Sequence, residues 1–523
     1  MSRTGGGVAP DGAVSAIPRE DRFRARGEVR WTSIGRWRTA ALVAVHLAVI
    51  AHVAQWKLSG TTISPLEPSE VQETLKIGYV NAGAIVFAAS ILITALVGRF
   101  FCGWVCHFVA YQDLCAWLLR RLGLKPRPVR SRLLMFVPAF AALYMFVGPL
   151  VERWWYEAPA LELQLQLTTE RFWATFPGLG MAILTIALGG FLMVYWLGAK
   201  GFCSYGCPYG AVFGLVDRVA PLRVKVNDSC ETCGHCTTVC SSNVRVHEEV
   251  ARYRMVVDPG CMKTMDCVNS CPKQALHLGF AMRPLRAETR RRRSPGADFT
   301  WGEELVMAVA GLAAFFVYRG FLNHVPFLLA ICLGVSFAIA VLTGIRLLRV
   351  RDLRFQHHEL RRAGRLTRAG RIAAATVLAF VALTAYAAVI RGYGWSADRS
   401  FEAAVAASDA AERTRHLDAS AAALETAYRL GWCEDTHVLM SLAIVDRWRR
   451  RNAEAETRLR HVLELEPDAL PALVHLADVV IERGEELEAE ALVTRALAIR
   501  AEYPPAKERL EKLRLRRERE QRR

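Results

Sequence analysis

The chain is 523 residues long, enough for three or four soluble domains, but 53% of it is hydrophobic and its apolar residues fall in long blocks of membrane-spanning length. The net charge of +17 would suit nucleic acid, yet the Arg residues cluster beside the apolar blocks, where they orient spans, rather than lining one soluble domain, and this excludes nucleic-acid binding. All of the 14 Cys except Cys332 and Cys433 lie in short-spaced groups, which in a reducing compartment point to metal rather than disulfides.

Residues 1–38 carry eight Arg against four acidic residues and read as a disordered cytoplasmic tail. The first apolar run starts too late for a signal peptide and lacks a small-residue cleavage site. A four-span membrane unit is expected over 39–221, with spans at 39–55, 77–97, 133–151 and 178–198. The loop between the first two spans holds Glu67, Glu70 and Glu73. Span two empties into an Arg/Lys-rich segment, which is cytoplasmic by the positive-inside rule, and span four brings the chain back to the same side.

Those two exits repeat one another: FCGWVCHFVA at 101–110 lines up with FCSYGCPYGA at 202–211. Each carries a pair of thiols four residues apart, Cys102/Cys106 and Cys203/Cys207, and helical continuity would put both members of a pair on one face. Duplication would let the pairs face each other across a pseudo-two-fold axis. Four such thiols suit a third iron–sulfur cluster or a soft ion such as Cu(I), or can act as dithiols. The plainer reading is of small buried side chains near helix ends. His107 stands where the other copy has Pro208 and is a further candidate metal ligand.

Residues 222–282 carry the strongest chemical signal. CETCGHCTTVC places Cys230, Cys233 and Cys236 in a tight loop with Cys240 beyond it, and CMKTMDCVNSCP repeats the register with Cys261, Cys267 and Cys271 but has Thr264 where the second cysteine belongs. This is a dicluster pattern in which the fourth thiolate of each run reaches the other cluster. Cluster I is then held by Cys230, Cys233, Cys236 and Cys271, a complete [4Fe–4S] set. Cluster II has Cys240, Cys261 and Cys267, and is incomplete at Thr264, whose neutral hydroxyl is a poor iron ligand. Three outcomes stay open there: a [3Fe–4S] cluster, a labile [4Fe–4S] with water or a non-cysteine ligand, or a lost site.

A basic linker over 283–300 includes the run Arg290 to Arg293. Three further spans are expected over 301–392. The block 303–347 is too long for one span and is interrupted near Gly320 and Pro326, so it reads as a hairpin, and 372–390 makes a seventh span. An odd count puts the C-terminal part outside. Residues 395–523 are rich in Ala, Leu, Glu and Arg. Setting 437–470 against 471–504 gives a 34-residue period, with Leu439, Leu442, Ala443 and Ala455 matching Leu473, Leu476, Ala477 and Ala489. That is the tetratricopeptide period, and 401–436 would supply a degenerate first helical pair.

The expected fold class is therefore mainly α: a polytopic helical membrane protein of about seven spans, with an inserted bacterial-type dicluster ferredoxin segment of small α+β type and a C-terminal tetratricopeptide-like helical-repeat domain. Four spans, paired thiol motifs and a trailing dicluster segment together resemble the membrane-bound polyferredoxins over residues 37–282. The resemblance implies a bacterial inner-membrane location. It also implies electron transfer between a cytoplasmic or quinol donor and a membrane or periplasmic acceptor, or copper reduction during assembly of a respiratory enzyme. A redox sensor or scaffold using the repeat domain is a third expectation. Each makes the chain an electron carrier or oxidoreductase subunit rather than a stand-alone enzyme. The implied partners are the bilayer, redox proteins, quinol, and a protein docked on the repeat domain. This chain departs from the family pattern at His107, Thr264 and Ser241 and adds three spans and the repeats.

Overall fold

The computed structural model describes residues 32–124, 129–155, 157, 160–173, 176, 178–284, 298–500 and 503–521. The expected tail over 1–38 and linker over 283–300, with Arg290 to Arg293, lie largely outside the described residues. The chain divides into two compact units, Met1–Ala313 with Ile331–Val377, and Ala314–Ala330 with Leu378–Arg523.

Six helices among the described residues are long and apolar enough to cross a membrane: Ile34–Ser59, Leu134–Trp155, Leu179–Leu197, Trp301–Tyr318, Phe327–Arg349 and Arg368–Ala406. The seventh apolar helix, Ala82–Val97, has 16 residues, about 24 Å against a hydrocarbon core of roughly 30 Å. It starts later than residue 77 because Gly78, at φ 84°, closes a separate short helix, Val71–Ile77. Tyr79–Val80 then pairs in parallel with Gln164–Leu165. A second small pairing joins Thr62–Ile63 to Thr168–Thr169, so the first and third interhelical loops are stitched together. Asn81 starts the helix by accepting from the Ala84 N–H.

Leu134–Trp155 and Leu179–Leu197 each contain a π-helical stretch, Leu143–Val147 and Ala187–Leu192. Near the second of these, the carbonyls of Ile186 and Gly189 accept from Tyr111 Oη at 2.9 Å and Gln112 Nε2 at 3.2 Å. π-bulges release backbone carbonyls in this way, and here the release docks the helix His107–Arg121 against the span. Between Phe327–Arg349 and Arg368–Ala406 the chain forms a three-stranded antiparallel sheet, Leu353–Phe355, His358–Arg362 and Arg365–Leu366. The segment following the second thiol pair is a small α+β fold. Its strands Leu222–Val226 and Leu276–Phe280 are antiparallel with Val224 opposite Leu278, over a core of Val224, Val246, Val256 and Ala275.

In the second unit, helices Thr436–Trp448 and Asn452–Leu465 are followed by Leu470–Glu482 and Glu486–Ile499. Every bound of the second pair lies 34 residues beyond its counterpart. Ala443, Ala455 and Leu459 are fully buried, as are Ala477, Ala489 and Val493 at the matching places. Ala410–Leu430 packs on Ala397 and Ala404. These last two residues belong to Arg368–Ala406, a 39-residue helix that continues unbroken through 392–395, where the sequence suggested a boundary.

Candidate functional site

The two cysteine loops are wound alike. Thr232 and Lys263 have φ of 52° and 50°, Gly234 and Met265 have 76° and 65°, and Asn243 and Gln274 have 58° and 50°. Each pair is 31 residues apart, and each loop runs into a short helix, His235–Thr238 or Asp266–Asn269. Such left-handed turns bring successive N–H groups to one concave side, a geometry suited to a sulfide-bearing anion.

One pocket is lined by Cys230, Cys233, Cys236 and Cys271, with Thr232, Gly234 and Pro272 at its wall. These are the four thiols that the crossed spacing assigns to cluster I, drawn from both runs. Burial, and then the neighbouring Cys233, Cys230 and Cys271, push the Cys236 thiol up to about 12. Ionising four neighbouring thiols in a half-dry pocket is unfavourable unless iron takes up their charge. The donor set fits a [4Fe–4S] cluster.

Cys240, Cys261 and Cys267 form the second group, packed on the same core. Burial first, and then Cys240 and Cys261, push the Cys267 thiol well up. Thr264 is buried in the expected vacancy, and its hydroxyl donates to Asp266 Oδ2 at 2.8 Å. Ser241 Oγ donates to the same oxygen at 2.5 Å.

The membrane-edge thiols do come together, but not on continuous helices. Phe100–Trp104 ends before Cys106, which is extended at ψ 117° and starts His107–Arg121; Gly201–Tyr205 and Pro208–Val216 break in the same way around Cys207. A helical break replaces the shared face expected for each pair. Cys102 and Cys203 are buried in one apolar cluster with Phe87, Val109, Phe213 and Met262, against which Cys106, Val71 and Tyr209 pack. Burial, followed by Cys106 and Cys102 of the other copy, pushes the Cys207 thiol up to about 12. Among the described residues, no three His, Cys, Asp or Glu side chains close to single-ion distances.

Two buried cations flank these thiols, and they cross between the copies. Lys200, from the second exit, donates to Val109 O at 3.3 Å and pairs with Asp113, both in the helix of the first. Arg99, from the first exit, donates through its backbone to Asp217 Oδ1 at 3.1 Å, just past the helix of the second, and through its guanidinium to Pro259 O at 3.2 Å. Asp217 also receives Lys263 Nζ at 2.7 Å and Arg223 at 2.7 Å, all three side chains being buried. The cluster II loop is thereby fastened to the thiol exit. Gly98 and Gly103 permit the approach: a Cβ on the first would lie 2.0 Å from Lys263 Nζ, and on the second 2.2 Å from Met262 O. Trp104 Nε1 adds a 2.9 Å bond to Lys263 O.

From the other direction, Glu67 reaches within 3.8 Å of His107 Nε2. The loop expected on the far side of the short helix therefore touches the thiol set. Arg99, Lys200, Asp217, Lys263, Asp266 and Glu67 were not among the sequence-derived candidates. Extending the exit repeat by two residues would have paired Arg99 with Lys200, since both stand three residues before the first thiol.

A protein-family profile described as a 4Fe-4S binding domain matches residues 82–125 and 179–227, the two segments that carry the thiol pairs. The methylamine utilization ferredoxin-type protein MauN of Methylorubrum extorquens is 30% identical over 247 residues, 44% of this chain and 82% of the relative. The ferredoxin-type protein NapH of Haemophilus influenzae is 26% identical over 41% of this chain and 74% of its own length. The putative electron transport protein YccM of Escherichia coli is 29% identical over 36% of this chain and 54% of its own length. No solved structure matches the chain.

Proposed function

Because the chain belongs to the membrane-bound polyferredoxin family, a group of iron–sulfur electron-transfer membrane proteins, we propose that it relays electrons between the ferredoxin segment and the thiol set at the exits of the short spans. In this reading Cys230, Cys233, Cys236 and Cys271 hold the first cluster, and Cys240, Cys261 and Cys267 belong to the second. Such a cluster supplies one-electron redox chemistry when bound. The protein's own residues do the rest. Asp217 holds Lys263, and with it the second loop, against the exits. Arg99 and Lys200 place positive charge beside the thiols, and Met262, Phe87 and Phe213 exclude water between loop and thiols.

The carrying observation is that single buried cluster, which contains Met262 of the ferredoxin segment and Cys102 and Cys203 of the two exits, with Val71 of the segment between the first two spans packed against it. It supports a route from one end of the short helix to the other. The Arg-rich first exit favours a cytoplasmic ferredoxin segment with a cytoplasmic or quinol donor, and an acceptor in the membrane or beyond it. For the four exit thiols, a third cluster is favoured over copper, because the 4Fe-4S profile falls on their two segments. The tetratricopeptide-like helices fit a docking module for a protein partner, outside if seven spans cross.

Reduced-state paramagnetic resonance with iron and sulfide counts on purified protein is expected to give cluster signals, and their absence would overturn the proposal. In proteoliposomes, a Cys102→Ala/Cys203→Ala variant should keep the ferredoxin-segment signals while electron delivery to an impermeant acceptor falls to background. Unchanged delivery would remove the thiols from the route.

A further inference from the structure

The vacancy in the second cluster has a carboxylate beside it. We propose that Asp266 supplies the fourth protein ligand of cluster II, completing a [4Fe–4S] site of three thiolates and one carboxylate, an inference that rests on the dicluster reading above. Thr264 occupies the position of the missing cysteine, and its hydroxyl lies 2.8 Å from Asp266 Oδ2. Ser241, directly after the cluster II ligand Cys240, reaches the same oxygen at 2.5 Å from the other run. Hydroxyls from both sides therefore fix one carboxylate oxygen, and an ionised carboxylate has a second with which to bind iron. The two departures from the family pattern near this cluster, Thr264 and Ser241, thus act on one side chain.

Three further observations agree. The left-handed turns at Lys263 and Met265 aim the 261–267 loop as Thr232 and Gly234 aim the 230–236 loop, so the loop has kept a cluster-wrapping shape. Asp266 also stands directly before Cys267, and its partner Ser241 directly follows Cys240, so the carboxylate is tied to two of the three thiol ligands. Finally, the matching residue of the first loop is His235, with a complete set of thiols around it. Asp266 stands as a carboxylate only where a thiolate is lacking. Ligation exchanges a carboxylate for a thiolate at one iron and changes no oxidation state. Oxygen is a harder donor than thiolate, which leaves this iron the most easily lost in the segment.

The test uses full-length protein purified anaerobically in detergent, with iron counts, Mössbauer spectra and oxidised-state paramagnetic resonance. Wild type should carry two four-iron clusters in the segment. Asp266→Asn keeps the size and the hydrogen-bond acceptor but loses the charge, and should lose one iron per chain and gain a three-iron signal. Thr264→Cys/Asp266→Asn should restore the iron with an all-thiolate spectrum. The cluster I signal reports folding in every variant. Wild-type iron and spectra retained in Asp266→Asn would overturn the proposal. So would a three-iron signal in the wild type after anaerobic reconstitution with ferrous iron, or loss of the iron in Thr264→Ala to the extent seen in Asp266→Asn, which would make the hydroxyl the ligand. Absence of both clusters from the wild type would instead overturn the dicluster reading.

Discussion

Loop Cys230–Cys236 and loop Cys261–Cys267 reach the same backbone shape by different means. The first enters its second left-handed turn with Gly234, which adopts positive φ freely, while the second does so with Met265. A non-glycine residue there costs about 1–2 kcal/mol. The Met265 side chain is buried in the segment's core, and burying it contributes about 1.5–3 kcal/mol; packing therefore outweighs strain. Met262 is likewise buried among the exit thiols, and Lys263 is held by Asp217. At this second turn the first loop is permitted its shape by composition; the second is forced into it from behind. A loop held by the protein can lose one thiolate without losing its winding.

This contrast can be broken most strongly at Asp217. Asp217→Ala strands the buried cations of Lys263 and Arg223 and should cost about 3–5 kcal/mol, with the second cluster lost and the first retained. Thermal melts in detergent together with paramagnetic resonance measure both. Iron chelation under anaerobic conditions sharpens the contrast. Hydrogen exchange should rise across 230–236 while 261–267 stays protected, and equal exposure of both loops would end the distinction. Gly234→Ala should destabilise the first loop by about 1–2 kcal/mol, seen as faster loss of cluster I iron. The smallest effect is expected for Met265→Gly, a net loss of about 1 kcal/mol in which lost burial exceeds relieved strain.

Much of this was legible in the chain. The thiol spacings singled out the four residues that line one pocket, and hydropathy located the apolar helices, because both signals are local. The break between Trp104 and Cys106 was not legible, because four-residue spacing suits one helix, whereas the equivalent break at Cys207 is the extended conformation that Pro208 favours in the residue before it. The fastening of Lys263 to Asp217 spans 46 residues and depends on how the segment folds back. Asp266 opens a short helix, and its place beside the second thiol set shows only where Ser241 and Thr264 meet on one of its oxygens.

The crossing of Arg99 and Lys200 also bears on ancestry. Lys200 carries its ammonium from the second half to Asp113 in the first, whereas Arg99 meets Asp217 of the second half through its backbone N–H and gives its guanidinium to Pro259 of the ferredoxin segment. The duplicated positions have therefore diverged: one ties the two halves to each other, and the other ties them to the cysteine segment behind.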